Sequence, residues 1–348
     1  MTSLTISLPD NKTSTGPIST MDSYVLQNIQ KQDAALHGST DDFDYIIVSD
    51  SHGRGFQKHR IRDLINTIDW GFILKNENWY KNDTDAEGNY ISPLFAAFHN
   101  INSDGREAFI QGCTLSVVLI YPCKFECFSI GDSTIKIWGI NPEETDIHLV
   151  FESEDHDINY TEDVTLLESR TFEEASFCRN NWPRDRCISG VLKTDEEMRI
   201  KVFEEDISNK SITMEQSAYF YFDDGSKIDM TRAMGHYPSS GTVECASLWH
   251  HKLSLCEHSL TKKIIERTET TNYMVIVGTD GIWDVVNKET EKEFAHWIKN
   301  SVGVAKRIAI YVKMLWSQEW KYIQNDSEEM TTMPKYSHDD IAVAVAHC

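Results

Sequence analysis

Tyr45-Ile46-Ile47-Val48-Ser49-Asp50-Ser51-His52-Gly53-Arg54-Gly55 is the stretch on which the fold turns. It begins with a continuous run of strand-favouring residues. A run without alternation predicts a strand covered on both faces. The run ends at Asp50, and Gly53 and Gly55 then break it, so backbone can approach a ligand closely there. A carboxylate thus stands at the mouth of a rigid strand, beside a histidine. The same device recurs along the chain. Tyr273–Val286 is a second buried run that ends at Asp280-Gly281, and Phe128–Ile137 carries Gly131-Asp132 in a strand–turn pattern. His338-Asp339-Asp340 opens the final apolar run, Ile341–Ala346. Aspartates at the ends of separate buried strands are the oxygen-rich set that a hard cation requires.

The 348 residues suffice for one large domain or two ordinary ones. We read residues 1–20 as a possible flexible segment and 21–348 as a single domain, with a variable acidic insertion at about 141–228. Lys and Arg number 33 against 55 Asp and Glu, a net charge of −22 that excludes a nucleic-acid footprint. The same charge repels anionic substrates, so phosphate chemistry needs local positive charge, most simply divalent cations. None of the eight cysteines forms a C-x-x-C pair, which fits reduced thiols in an intracellular, cytoplasmic or nuclear protein. Met1–Thr20 has no apolar core of a leader, and no run is long enough to span a bilayer. The expected protein is a soluble monomer that engages no nucleic acid and no membrane.

In chain order, Thr2–Leu8 has weak strand alternation and Asn11–Thr20 is a polar loop. Ser23–Ala35 reads as a strand leading into a loop that carries Asp33. Ile61, Leu64, Ile65 and Ile68 at helical spacing predict one helix over Lys58–Ile73. Asn76–Gly88 is a loop, and Leu94–Phe98 with Arg106–Ile110 are pieces of a second helix. Cys113–Tyr121, its hairpin partner Lys124–Ile130, and Thr134–Ile140 are strands. Asn141 to about Ile228 is acidic and irregular, while Val243–Leu248 and Ile264–Thr268 read as strands. Glu291–Tyr322 carries an amphipathic stripe on one or two helices, followed by a polar loop, Gln324–Lys335. Hairpins together with two blocks of helix predict an α+β fold of antiparallel sheets, stacked and flanked by helix pairs.

Asp33, Asp50, Asp132, Asp280 and Asp339 fall at or near strand ends. Carboxylates without His or Cys companions suit Mg²⁺ or Mn²⁺ rather than zinc. Two such ions can share a carboxylate, activate a water and clamp a phosphoryl group. Taken in order, the motifs resemble those of the metal-dependent Ser/Thr protein phosphatases of the 2C type. Val48-Ser49-Asp50-Ser51-His52-Gly53 is similar to V-x-D-G-H-G, and Gly112-Cys113-Thr114-Leu115 to G-S-T-A. Ile130-Gly131-Asp132-Ser133 resembles V-G-D-S, and Asp155-His156 the D-H that follows. Thr231-Arg232-Ala233-Met234-Gly235 resembles S-R-A-L-G. Thr279-Asp280-Gly281-Ile282-Trp283-Asp284 resembles S-D-G-L-W-D, and Asp339-Asp340-Ile341-Ala342-Val343 resembles D-N-I-T-V.

The resemblance implies a four-layer αββα sandwich that hydrolyses phosphoserine and phosphothreonine in a phosphoprotein substrate, using a water activated by two metal ions. It implies that Asp50 bridges the ions, that the Ser51 carbonyl binds one, and that Asp280 and Asp339 bind the other. Asp132 with Asp280 resembles a third, weaker position, and Asp33 completes the metal set. His52 matches the residue proposed as general acid for the leaving alkoxide. Four departures stand out. The Glu-Asp pair of the pattern reads Gln32-Asp33, its phosphate-binding arginine falls on Asn28, the aspartate that closes S-R-A-L-G-D is His236, and the asparagine of D-N is Asp340. Lys31 and Arg54 are the candidates to hold phosphate instead.

Other readings differ in their requirements. Asp50-Ser51-His52 also resembles the D-x-H opening of calcineurin-like metallophosphoesterases, but the G-N-H-D/E and G-H-x-H motifs of that family do not occur. A catalytically inactive pseudophosphatase, used as a protein-binding scaffold, is the alternative that the lost arginine and glutamate support. Retention of three mutually repelling carboxylates opposes it. Cys178–Arg184 has the bare C-x5-R spacing of a cysteine phosphatase, without glycine and with Pro183 in the loop, a poor cradle of backbone amides.

Overall fold

A computed structural model describes residues 19–28, 30–52, 59–103, 112–140, 146–156, 232–235, 259–317, 319–324, 327–332 and 339–348, together with short strands between 191 and 228. The expected elements at Thr2–Leu8, Arg106–Ile110 and Val243–Leu248 lie outside the described residues, as does Cys178–Arg184. The chain opens with β1 (Thr20–Leu26), β2 (Ala34–Ser39), β3 (Asp44–Ser49) and the short β4 (Ser51–His52). Helices α1 (Arg60–Thr67), α2 (Trp70–Leu74) and α3 (Pro93–Ser103) follow. Next come β5 (Gly112–Cys113), β6 (Leu115–Ile120), β7 (Lys124–Ile130), β8 (Thr134–Ile140) and β9 (His148–Glu152).

Five short strands come next: β10 (Val191–Thr194), β11 (Arg199–Val202), β12 (Ile212–Glu215), β13 (Ala218–Tyr221) and β14 (Lys227–Ile228). The chain continues through β15 (Met234–Gly235), β16 (Thr261–Glu266), β17 (Asn272–Gly278) and helices α4 (Asp280–Trp283), α5 (Lys288–Asn300) and α6 (Val304–Trp316). It ends with the hairpin β18 (Glu319–Gln324) and β19 (Ser327–Thr332) and with β20 (Ile341–His347).

Two five-stranded antiparallel sheets form the body, ordered β1-β20-β17-β8-β9 and β16-β7-β6-β3-β2. Side-chain alternation assigns each strand face to a layer. On β20, Ala342, Ala344 and Ala346 pack between the sheets, against Ile46 and Val48 of β3, Val118 of β6 and Val275 of β17. Ile341, Val343 and Val345 of the same strand face outward to α5 and α6, where Phe294, Ile298, Ile308 and Val312 cover them. The outer face of the other sheet, with Ile47, Val117 and Phe128, is covered by Ile61, Ile65, Leu94 and Phe98 of α1 and α3. Both faces of the central strands β3, β6, β17 and β20 are therefore dry, while the edge strands β9 and β16 are largely exposed. That is why Ile46–Val48 and Met274–Val277 read as continuous apolar runs. The expected α+β sandwich of two stacked antiparallel sheets between helices is the fold observed.

Several element predictions are corrected. The helix expected over Lys58–Ile73 is two helices: Ile68 is extended (ψ 148°), and the Asp69 side chain accepts the Phe72 N–H at 3.0 Å to start a new turn. The stripe Glu291–Tyr322 is α5 and α6, but its end belongs to β18. The loop expected at Gln324–Lys335 contains β19, paired with β18 from Glu319↔Thr332 to Gln324↔Ser327. Over five or six residues an apolar pair fits either period, so spacing alone does not separate helix from strand there. Among its described residues, the stretch at 141–228, read as irregular, holds β9 on the edge of the first sheet and five further short strands.

Candidate active site

Asp50 leaves β3 as the strand ends, and its backbone is locked from across the sheet. Its N–H donates to Thr114 Oγ1 at 3.0 Å, and its carbonyl accepts the Thr114 N–H at 2.8 Å. Thr114 itself interrupts what was read as one strand, Cys113–Tyr121, into β5 and β6. Its hydroxyl meets Ser133 Oγ at 2.5 Å, and Ser116 Oγ donates to the Ser133 carbonyl at 2.5 Å. This buried hydroxyl chain ties the end of β3 to the Gly131–Ser133 turn between β7 and β8.

That turn carries Asp132. Gly131 has φ +90°, and a Cβ there would lie 2.6 Å from Thr114 Cγ2, so both conformation and space demand glycine. His156 fastens the turn from outside. Its N–H and its ring Nδ1 both reach the Gly131 carbonyl, at 3.0 and 3.3 Å, while Nε2 meets Thr261 Oγ1 at 3.0 Å.

Asp280 is the first residue of α4, directly after β17. Trp316 Nε1 donates to the Gly281 carbonyl at 2.7 Å, and Trp283 Nε1 donates to that of Gly278 at 3.0 Å. Lys136 of β8 lies 4.7 Å from the Trp283 ring centroid and is ion-paired to the buried Glu291 of α5 at 2.6 Å. Thr279 Oγ1 accepts the Ala342 N–H at 3.1 Å and so aligns α4 with the start of β20, where Asp339 stands.

Asp33 sits in the loop between β1 and β2, 2% exposed. Asp340 also is 2% exposed. Its Oδ2 accepts the Gln32 N–H at 2.7 Å, and its Oδ1 accepts the Asn28 N–H. Arg62 of α1 donates from Nη1 to the Lys31 carbonyl at 2.5 Å.

The five predicted aspartates converge electrostatically. Burial pushes the Asp33 carboxyl well above the usual range; an Asp50 hydrogen bond opposes the shift, and the charges of Asp340, Asp339 and Asp280 add to it. Burial likewise raises Asp50, helped by Asp33, Asp339 and Asp132. Asp280 is raised by burial and then by Asp339, Asp50 and Asp132. The Asp33 and Asp50 side chains lie within hydrogen-bonding reach of each other. Asp33 Oδ2, Asp280 Oδ1 and Ser51 Oγ are enclosed without a hydrogen-bond partner. Among the described residues no three Asp, Glu, His or Cys side chains already stand as a ligand shell. The donor set nonetheless fits a hard divalent cation: buried, mutually repelling oxygen ligands with enclosed atoms that lack donors. Bound cations would offset the mutual repulsion of these carboxylates and favour their ionised forms.

Of the other predicted residues, Ser51 is buried on β4 opposite Cys113. His52 lies opposite Gly112 in strand backbone, and the catalytic role read for its side chain concerns atoms outside the described part of the structure. Arg54 lies outside the described residues. Lys31 is exposed, with the left-handed φ of 55°. Sequence reasoning placed Thr114 and Asp340 in motifs but gave neither a positioning role, and it missed Arg62 and Lys136; all four act through contacts between distant segments.

The sequence matches no protein-family model and no curated protein. Among solved structures, a serine-threonine phosphatase 2C from Toxoplasma gondii superposes with a TM-score of 0.51 at 11% identity, covering 96% of each chain. The fold is that of the 2C-type phosphatases. A Staphylococcus aureus serine/threonine phosphatase gives a TM-score of 0.47 at 12% identity, covering 98% of this chain and 99% of its own. One from Mycobacterium tuberculosis gives 0.44 at 13%, covering 94% and 97%. At 11% identity the likeness to the Toxoplasma gondii structure shows architecture alone. Among the described residues, no helix is long and apolar enough to cross a membrane.

Proposed function

We propose that this chain is a metal-dependent phosphatase that hydrolyses phosphoserine and phosphothreonine in proteins. The observation that carries the reading is the convergence of Asp33, Asp50, Asp132, Asp280 and Asp339, from separate strand ends, on one buried centre. A scaffold gains nothing from holding them together, because burial and mutual repulsion destabilise each. Asp50, the Ser51 carbonyl, Asp280 and Asp339 would hold two Mg²⁺ or Mn²⁺ ions, with Asp33 and Asp132 completing the set. When bound, the ions would supply positive charge that polarises a phosphoryl oxygen and activates a water.

The chain's own residues do the rest. Thr114, Ser133 and Gly131 fix two of the carboxylates relative to each other. Asp340 and Arg62 hold the loop that presents Asp33. Cys113 is no rival nucleophile: burial pushes its thiol up to about 12, so it stays protonated. Asn28 offers no guanidinium, so phosphate is held by fewer charge-assisted bonds, and we expect a high KM with measurable kcat.

The test is hydrolysis of an aryl phosphate and of a phosphothreonine peptide, in Mn²⁺ and in excess chelator. Turnover that requires Mn²⁺ supports the proposal. Full activity in chelator overturns it, and no turnover on either substrate at saturating Mn²⁺ replaces it with the pseudophosphatase scaffold.

A further inference from the structure

Two positions depart from the 2C pattern in opposite directions, and the fold places them in contact. Gln32 stands where the pattern has a glutamate, a loss of one negative charge; Asp340 stands where it has an asparagine, a gain of one. Asp340 Oδ2 accepts the Gln32 N–H at 2.7 Å, and Oδ1 accepts the Asn28 N–H. A carboxylate can accept both bonds. An asparagine has one acceptor oxygen, and its amide NH₂ would face the second N–H. Asp340 is also wedged against the neighbouring element, since a Cβ at Gly281 would lie 2.1 Å from the Asp340 carbonyl oxygen. It also adjoins the centre directly, since its N–H donates to Asp339 Oδ1 at 2.8 Å.

We propose that Asp340 is a positioning residue that returns to the centre the negative charge absent at Gln32, while holding the 28–32 loop so that Asp33 faces Asp50. The charge has moved from one side of a backbone hydrogen bond to the other. This inference rests on the phosphatase reading.

The experiment is calorimetric titration of Mn²⁺ into the chelator-stripped full chain and into Asp340→Asn, Gln32→Glu and the double variant, with melting temperatures measured in chelator. Changes to groups behind metal ligands typically cost 10–100-fold in affinity. Asp340→Asn is expected to weaken Mn²⁺ binding by about that factor, and adding Gln32→Glu to regain at least half of the loss on a logarithmic scale. Regain by a relocated charge is what a purely structural role would not produce. Wild-type affinity in Asp340→Asn, or a double variant no tighter than Asp340→Asn, overturns the inference alone. Should Asp340→Asn fail to fold, the double variant decides: folding with near wild-type affinity supports the inference, and failure to fold or bind overturns it. Absence of Mn²⁺ binding by the wild type overturns the phosphatase reading and this inference with it.

Discussion

Asp280 has a carboxylate oxygen enclosed without a donor and four like charges acting on it. Asp280→Asn should therefore raise the melting temperature of the chelator-stripped protein while it weakens Mn²⁺ binding. The pH dependence follows from the same shifts. Asp33, Asp50 and Asp280 have folded-state pKa values raised above their unfolded values, so the metal-free fold binds more protons than the unfolded chain. The stability these groups contribute is complete below the unfolded value, about 4, and is lost as pH rises through the folded values. Melting temperatures in chelator should fall across that window, and Asp280→Asn should flatten the fall. A rise with pH through the window would contradict the assignment. At Asn28, substitution by arginine adds a fork that binds two phosphate oxygens. Asn28→Arg should lower KM more than it raises kcat in steady-state assays, the signature of uniform binding.

Elements are held in place by a few cross-contacts, and two changes test this. Gly131→Ala forces a Cβ into Thr114 at positive φ and should cost about 1–3 kcal/mol in urea unfolding, with loss of turnover. Lys136→Met leaves Glu291, 6% exposed, without its buried cation. Breaking such a pair costs about 3–5 kcal/mol, whereas replacing both partners by apolar residues is far milder. The legibility of these elements in the sequence followed their burial. β3, β17 and β20 are covered on both faces, so their runs are unbroken and each is bounded visibly by an aspartate, after β3 and β17 and before β20. The break at Ile68–Asp69 was hidden because its cause is a cap bond, and the residues on either side keep helical spacing. The β18–β19 hairpin was hidden because its short apolar pattern fits two periods. Asp50, Asp280 and Asp339 were legible as strand-end carboxylates. Thr114 and Lys136 were not, because each acquires its role from a partner far along the chain.

For the molecule as a whole, a net charge of −22 sets the terms on which any phosphate arrives. Without cations at the centre the field repels an anionic peptide; with them it is locally reversed. Three of the described cysteines, Cys113, Cys127 and Cys348, stand apart from this chemistry. Cys113 and Cys348 are pushed up to about 12 chiefly by burial, and Cys127 is raised for the same reason. Native alkylation should leave turnover largely intact, as measured by residual rate against modified thiol. The most direct measurement follows hydrolysis of a phosphothreonine peptide while Mn²⁺ is titrated into chelator-stripped wild type and into Asp50→Asn. The centre described here predicts no turnover without Mn²⁺ and a saturable rise with it. It also predicts that Asp50→Asn, folded in chelator, requires at least about tenfold more Mn²⁺ or stays inactive. Turnover independent of Mn²⁺, or coincident curves for the two proteins, would contradict it.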